Sequence, residues 1–204
     1  MNGWAWAALL LFTGWAVTAF GIRALVQARR TGDAGFRGIS GRPGTPSWWA
    51  GISFVLALLG GAAAPVAALS GMPPLPGTDA VVLRWTGLVV AVAGVVATLA
   101  AQSAMGASWR VGVDAAERTD LVTSGLFAHV RNPVFTAMAA TAVGLALMAP
   151  NAVALLALVA LVAALQLQVR IVEEPYLTAV HGAAYTAYTT RAGRFLPGIG
   201  RRTA

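Results

Sequence analysis

The chain contains no cysteine and no lysine, only two histidines, and few charges: 14 basic and 7 acidic residues among 204. Without cysteine it can form no disulfide, no thiolate metal site and no sulfur nucleophile. With His129 and His181 as the only imidazoles, no metal site is expected, and His181 reads as a surface or packing residue. The charged fraction of 10% is far below the roughly one quarter typical of a soluble domain. Apolar residues fill the gap: 58% are hydrophobic and the mean hydropathy is +0.73, so the composition is that of an integral membrane protein.

All of the positive charge is arginine, and the net charge is +7. The arginines fall in the loops of one face, as the positive-inside rule requires, and no basic stripe with interleaved aromatics calls for nucleic acid as a partner. The first residues, MNGWAWAALLLF, lack a basic n-region, which favours a first span starting outside over a cleaved signal.

Apolar runs predict an all-α polytopic protein with about five transmembrane helices, over 4–25, 48–69, 81–105, 135–148 and 152–169. The last two are short, and the turn at Ala149, Pro150 and Asn151 folds them into a tight C-terminal hairpin. Pro65 is expected to kink the far end of the second span, and recurring alanine and glycine let the helices approach closely. Five spans put the N-terminus outside and the C-terminus in the cytoplasm of a multi-pass cell-membrane protein. On that topology every arginine except Arg84 lies at or beside the cytoplasmic face. The chain divides into a three-span scaffold, 1–107, and a second half, 108–204, that carries its chemistry.

Two polar blocks flank the predicted hairpin. The first, LVTSGLFAHVRNPVF (121–135), sets His129, Arg131 and Asn132 at the entrance of the fourth span, where Pro133 suits a first helical turn. Such an entrance attracts anions, although an interfacial arginine beside an asparagine N-cap gives the same pattern. The second block begins at Arg170 and puts Glu173 and Glu174 at the end of an apolar helix, where the macrodipole disfavours negative charge. A cationic ligand would compensate them, as would a nearby arginine such as Arg170. Pro175 is expected to break or restart the helix there and turn the two carboxylates apart. Beyond it, Tyr185, Tyr188, Arg191 and Arg194 fall at steps of three on a short cytoplasmic amphipathic helix. That helix either anchors at the lipid headgroups or caps a pocket.

The order of LVTSGLFAHVRNPVF, a short hairpin, EEPYLTAVHGAAYTAY and a closing RFLP resembles the isoprenylcysteine carboxyl methyltransferase family and its phospholipid methyltransferase relatives. The resemblance runs from Trp109 to Pro197. It implies S-adenosyl-L-methionine as cofactor, bound at the cytoplasmic end of the last helices. Thr119, Asp120, Leu121, Val122 and Phe127 would line that site, with Asn132, Pro133, Phe135 and Tyr188. Glu173 would clamp the cofactor's cationic groups, Arg131 would complete the clamp, and Arg170 would orient the methyl acceptor. The acceptor implied is lipophilic or lipidated, a carboxylate that needs no general base; an amine would need one, with Glu174 and His129 as candidates. The family reads R-H-P-x-Y where this chain has Arg131-Asn132-Pro133-Val134-Phe135, so a titratable ring and a phenol are missing. Those departures keep a second reading open, a carrier, sensor or assembly protein on the same scaffold.

Overall fold

The structure, a computed structural model, describes residues 2–114 and 117–202. The chain is helical, with no strand among the described residues. Helix α1 (Asn2–Thr31) is α-helical except for a π-helical stretch at Val17–Ile22. Helices α2 (Pro46–Leu69) and α3 (Val81–Ala104) follow, then a long loop, α4 (Pro133–Met148) and α5 (Ala152–Leu167). A second π-helical stretch, Gln168–Glu173, joins α5 to α6 (Glu174–Arg191). Thr45 starts α2, its hydroxyl accepting from the Trp48 N–H ahead of Pro46 in the first turn.

Helices α1, α2, α3 and the continuous 152–191 helix are long and apolar enough to cross a membrane by length and composition. Helix α4 is not: its 16 residues rise about 24 Å against a hydrocarbon core of about 30 Å. Of the two spans expected to be short, the fourth is, while the fifth runs on as part of the 152–191 helix. Helix α4 is enclosed by the others and of its residues only Val143 is exposed, so it need not match the bilayer. It packs along α3 through small residues at helical spacing, with Gly87, Ala91, Gly94 and Thr98 of α3 buried against Thr141, Gly144 and Met148. A methyl group at Gly87 would lie 2.6 Å from the Gly144 carbonyl, and one at Gly94 2.6 Å from the Thr141 nitrogen. Backbone contact this close is what small residues permit in a membrane, where dispersion rather than a hydrophobic gradient joins helices.

The expected hairpin is opened. Asn151 makes its turn, accepting from the Ala154 N–H at 2.9 Å and donating to the Ala64 carbonyl of α2 at 2.9 Å. Its arms then take different partners: α4 lies mainly on α3, and α5 mainly on α2, where Ala57 meets Leu161, Ala164 and Leu165.

At Pro175 the helix restarts rather than breaks, the α-helix resuming at Glu174 with Pro175 in its first turn. Proline has no N–H for the carbonyl four residues back, and the helix passes this gap by widening to π geometry just before it. The interruption comes at Gly182 (φ 51°, ψ −122°), a conformation that disfavours any residue with a Cβ. The segment carrying Tyr185 and Tyr188 is therefore a short helix set off by this kink, as expected, and both rings are buried rather than set out at a headgroup level. At the same end of the bundle, Arg23 and Gln27 of α1 satisfy the carbonyls that close α3. Arg23 donates to Gly106 (2.9 Å) and Gln27 to Ala107 (2.8 Å), which is why two such polar side chains can be buried.

Candidate functional site

Where α3 ends and α4 begins, a cavity of about 390 Å³ opens. Its floor is apolar, from Phe20 of α1, Gly51, Phe54 and Val55 of α2, and Phe135 and Met138 of α4. Its upper walls are polar, with Gln102, Arg110, Asp120, Gln168, Glu173 and Tyr176. Both π-helical stretches reach it, one through Phe20 and the other through Gln168 and Glu173. A π-helical turn rotates the side chains after it, which is why such turns recur at functional sites.

One side of the cavity is closed by a buried charge cluster. Glu174 is 3% exposed and accepts from Arg131 (3.0 Å) and Arg194 (2.7 Å) on Oε1, and from Arg194 (3.0 Å) and Arg202 (3.1 Å) on Oε2. Its hydrogen bond to Arg194 raises that guanidinium's pKa above its ordinary value. Arg131, 6% exposed, uses its remaining terminal N–H groups on the carbonyls of Thr189, Ala192 and Gly200. The backbones join too: the Arg131 N–H donates to the Gly193 carbonyl, and the Gly193 N–H donates to that of His129. Tyr188 donates to the Phe127 carbonyl and stacks edge-on with Tyr185 at 6.2 Å. This cluster fastens the segment after α6 to the start of α4.

The opposite side is closed by loop on loop. Phe36 and Val111 form a parallel bridge, and Ser40 bonds the Val113 backbone in both directions. Arg37 pairs with Asp33 and, at 2.6 Å, with Glu117, and its hydrogen bond to Asp33 holds that carboxyl at about pKa 2. Trp109, buried, is stacked by Arg23 at 5.0 Å and met edge-on by Phe36. The Arg110 guanidinium lies over the Tyr176 ring at 4.9 Å, and Tyr176 donates to the Glu117 carbonyl at 2.6 Å.

Of the residues singled out in the sequence, Thr119, Asp120, Leu121, Val122, Phe127, Arg131, Asn132, Pro133, Phe135, Glu173, Glu174 and Tyr188 come together around this one cavity. Arg170 and His129 do not. Arg170 is exposed, and its Nε donates to Gln166 at 2.9 Å. His129 is exposed on the far side of its turn and engages Gly193 through its backbone. Asn132 sits at the N-cap position without capping through its side chain; its Nδ2 donates instead to the Arg194 carbonyl at 2.9 Å. The partner compensating Glu174 is a trio of arginines in which Arg170 has no part. Sequence reasoning missed Arg110, Tyr176 and the wall from Phe36 to Ser40. Arg110 was legible only as a lone cation in a polar stretch, and the 36–40 wall looked like a linker.

A helical membrane protein with an amphipathic cavity at one polar end of its bundle is the class that fold and site define. Within that class, residues 82–184, half of the chain, match the model of the phospholipid methyltransferase family. The chain belongs to that family, and so stands among the membrane methyltransferases. The match runs from the start of α3 to the middle of α6, takes in the first polar block and the second as far as Ala184, and leaves out Tyr185, Tyr188 and the 36–55 wall. No curated protein matches the chain.

Proposed function

We propose that the chain is an S-adenosylmethionine-dependent methyltransferase acting on a lipophilic carboxylate at the membrane surface. The observation that carries this reading is the single cavity where both polar blocks meet above an apolar floor. Its volume falls within the roughly 300–1,000 Å³ of small-molecule sites. Its walls offer the carboxylates of Glu173 and Asp120, and polar atoms buried without a hydrogen bond among the described residues, Gln102 Oε1 and Arg110 Nη1, the latter in a 3.6 Å ion pair with Glu117. A zwitterionic nucleoside cofactor suits that set of donors and acceptors.

The cofactor, when bound, supplies a methyl carbon on a sulfonium, which an acceptor must approach in line. Glu173 and Asp120 put negative charge on the wall, which favours an ammonium or sulfonium. Phe127, Phe135 and Tyr188 add aromatic surface that suits the same cations. Phe20, Phe54 and Met138 exclude water from the floor and accept a hydrocarbon chain. Phe36, Ile39 and Val55 line the cavity and are exposed on the bundle surface, so a lipid-borne acceptor has an apolar way in. An ionised carboxylate fits best because it needs no base: Glu174 is held by three arginines and His129 lies outside the cavity. The arginine bias sets the cavity end at the cytoplasmic face, with the N-terminus outside.

Isothermal titration of the detergent-purified chain with S-adenosylmethionine, and with its demethylated product, tests the reading. Saturable binding of both is expected. No heat of binding at millimolar ligand would overturn it and return the scaffold to the carrier, sensor or assembly reading.

A further inference from the structure

Two arginines line the cavity, and they differ in what they have left to give. The four terminal N–H groups of Arg131 are spent on Glu174 and three carbonyls, and only its Nε is left without a hydrogen bond among the described residues. Arg110 makes one long ion pair, 3.6 Å to Glu117 Oε2, and shares that carboxylate with Arg37, which approaches its other oxygen at 2.6 Å. The Arg110 side chain is 11% exposed, and its Nη1 is buried without a hydrogen-bond partner among the described residues. A buried guanidinium left this way is costly unless something fills its fork. The Tyr176 ring holds it by its face, and a face-stacked guanidinium keeps its N–H edge free for a planar, two-oxygen partner. Beside it in the same cavity stands Glu173, three residues before Tyr176 and within the field of Arg110. A cation and an anion side by side on one wall match a group that carries a carboxylate and an ammonium on one carbon.

We infer that Arg110 receives the α-carboxylate of the bound cofactor, and that Glu173 faces its ammonium. This rests on the methyltransferase reading above and assigns the anion-binding role neither to Arg131 nor to the N-terminus of α4.

The test compares S-adenosylhomocysteine with 5′-methylthioadenosine, which shares the nucleoside and the thioether but lacks the amino-acid end. Both are titrated into the unaltered chain, Arg110→Gln and Arg110→Lys, purified in the same detergent. Arg110→Gln is expected to weaken S-adenosylhomocysteine by about ten- to a hundredfold, the loss of a charge-assisted hydrogen-bonded pair, and to leave methylthioadenosine within about twofold. Unchanged methylthioadenosine binding also reports that the variant is folded. Arg110→Lys is expected to recover part of the loss, because it restores the charge without the fork. Equal losses for both nucleosides, or no loss for S-adenosylhomocysteine, would overturn the assignment while leaving the methyltransferase reading intact. If the unaltered chain binds neither, that reading falls and the assignment with it.

Discussion

The two ends of the cavity carry the same residue types and use them in opposite ways. At one end a buried carboxylate, Glu174, gathers three guanidiniums, and the most buried of them, Arg131, spends its other terminal donors on backbone carbonyls. At the other end Arg110 rests on an aromatic face with a single long ion pair among the described residues, and Glu173, hydrogen-bonded to Gln168, lines the open space. Glu173 and Glu174 are neighbours in sequence, separated in role by the π-helical stretch that ends between them. A satisfied charge inside a protein holds structure, and an unsatisfied one is kept for something else to satisfy. By that measure Arg131 and Glu174 hold the fold, and Arg110 and Glu173 are the pair proposed to hold a ligand.

Removing the hub of the satisfied end is the severest way to break the comparison. Glu174→Ala leaves Arg131 buried without its countercharge and unfastens the segment after α6, so a loss of about 3–5 kcal/mol in stability is expected. Unfolding in mild detergent, followed by tryptophan fluorescence, measures it. A change below about 1 kcal/mol would show that the cluster is not what holds this end together.

The helices and the residues of the site were legible in the sequence to different depths. Apolar runs announce helices, and twelve of the singled-out residues meet in one cavity because the two polar blocks sit at the only places where a membrane helix can afford them. Registers and partners were not legible. The step from Glu173 to Glu174 looks the same in sequence whether the helix breaks at Pro175 or widens before it, and only the widened helix sends the two carboxylates to opposite tasks. Arg170 and Arg131 are both arginines beside polar blocks, yet one lies on the outer surface and the other at the centre of a charge cluster. Periodicity cannot tell them apart, because the difference comes from the segment after α6 folding back over Arg131. The wall at 36–40 was invisible for a similar reason: its docking partner, 109–113, is some seventy residues away, and no local pattern links the two.

The unsatisfied end should respond in the opposite sense, and by less. Arg110→Met keeps the length and apolar stem of the side chain and removes a buried charge that the ligand-free protein does not fully compensate. The lost cation–π contact offsets part of the gain, so the ligand-free variant should be more stable by about 0.5–1 kcal/mol. A gain in stability where ligand affinity is lost is the signature of a residue kept for binding. A loss of about 2 kcal/mol or more in the same unfolding measurement would instead make Arg110 a structural residue like Arg131.

The smallest effect sharpens the comparison from inside the satisfied cluster. Arg202 also bonds Glu174, at 3.1 Å, but its side chain is 45% exposed where that of Arg131 is 2% exposed. Water screens the Arg202 pair and hydrates whichever partner is left, while the inner pair has no such substitute. Glu174 also keeps both of its oxygens occupied by Arg194 when Arg202 is gone. Arg202→Ala should therefore cost about 0–0.5 kcal/mol in the same unfolding measurement, despite removing a contact to the same carboxylate. If it cost as much as Glu174→Ala, burial would not be what separates a charge that holds this fold from one that merely touches it.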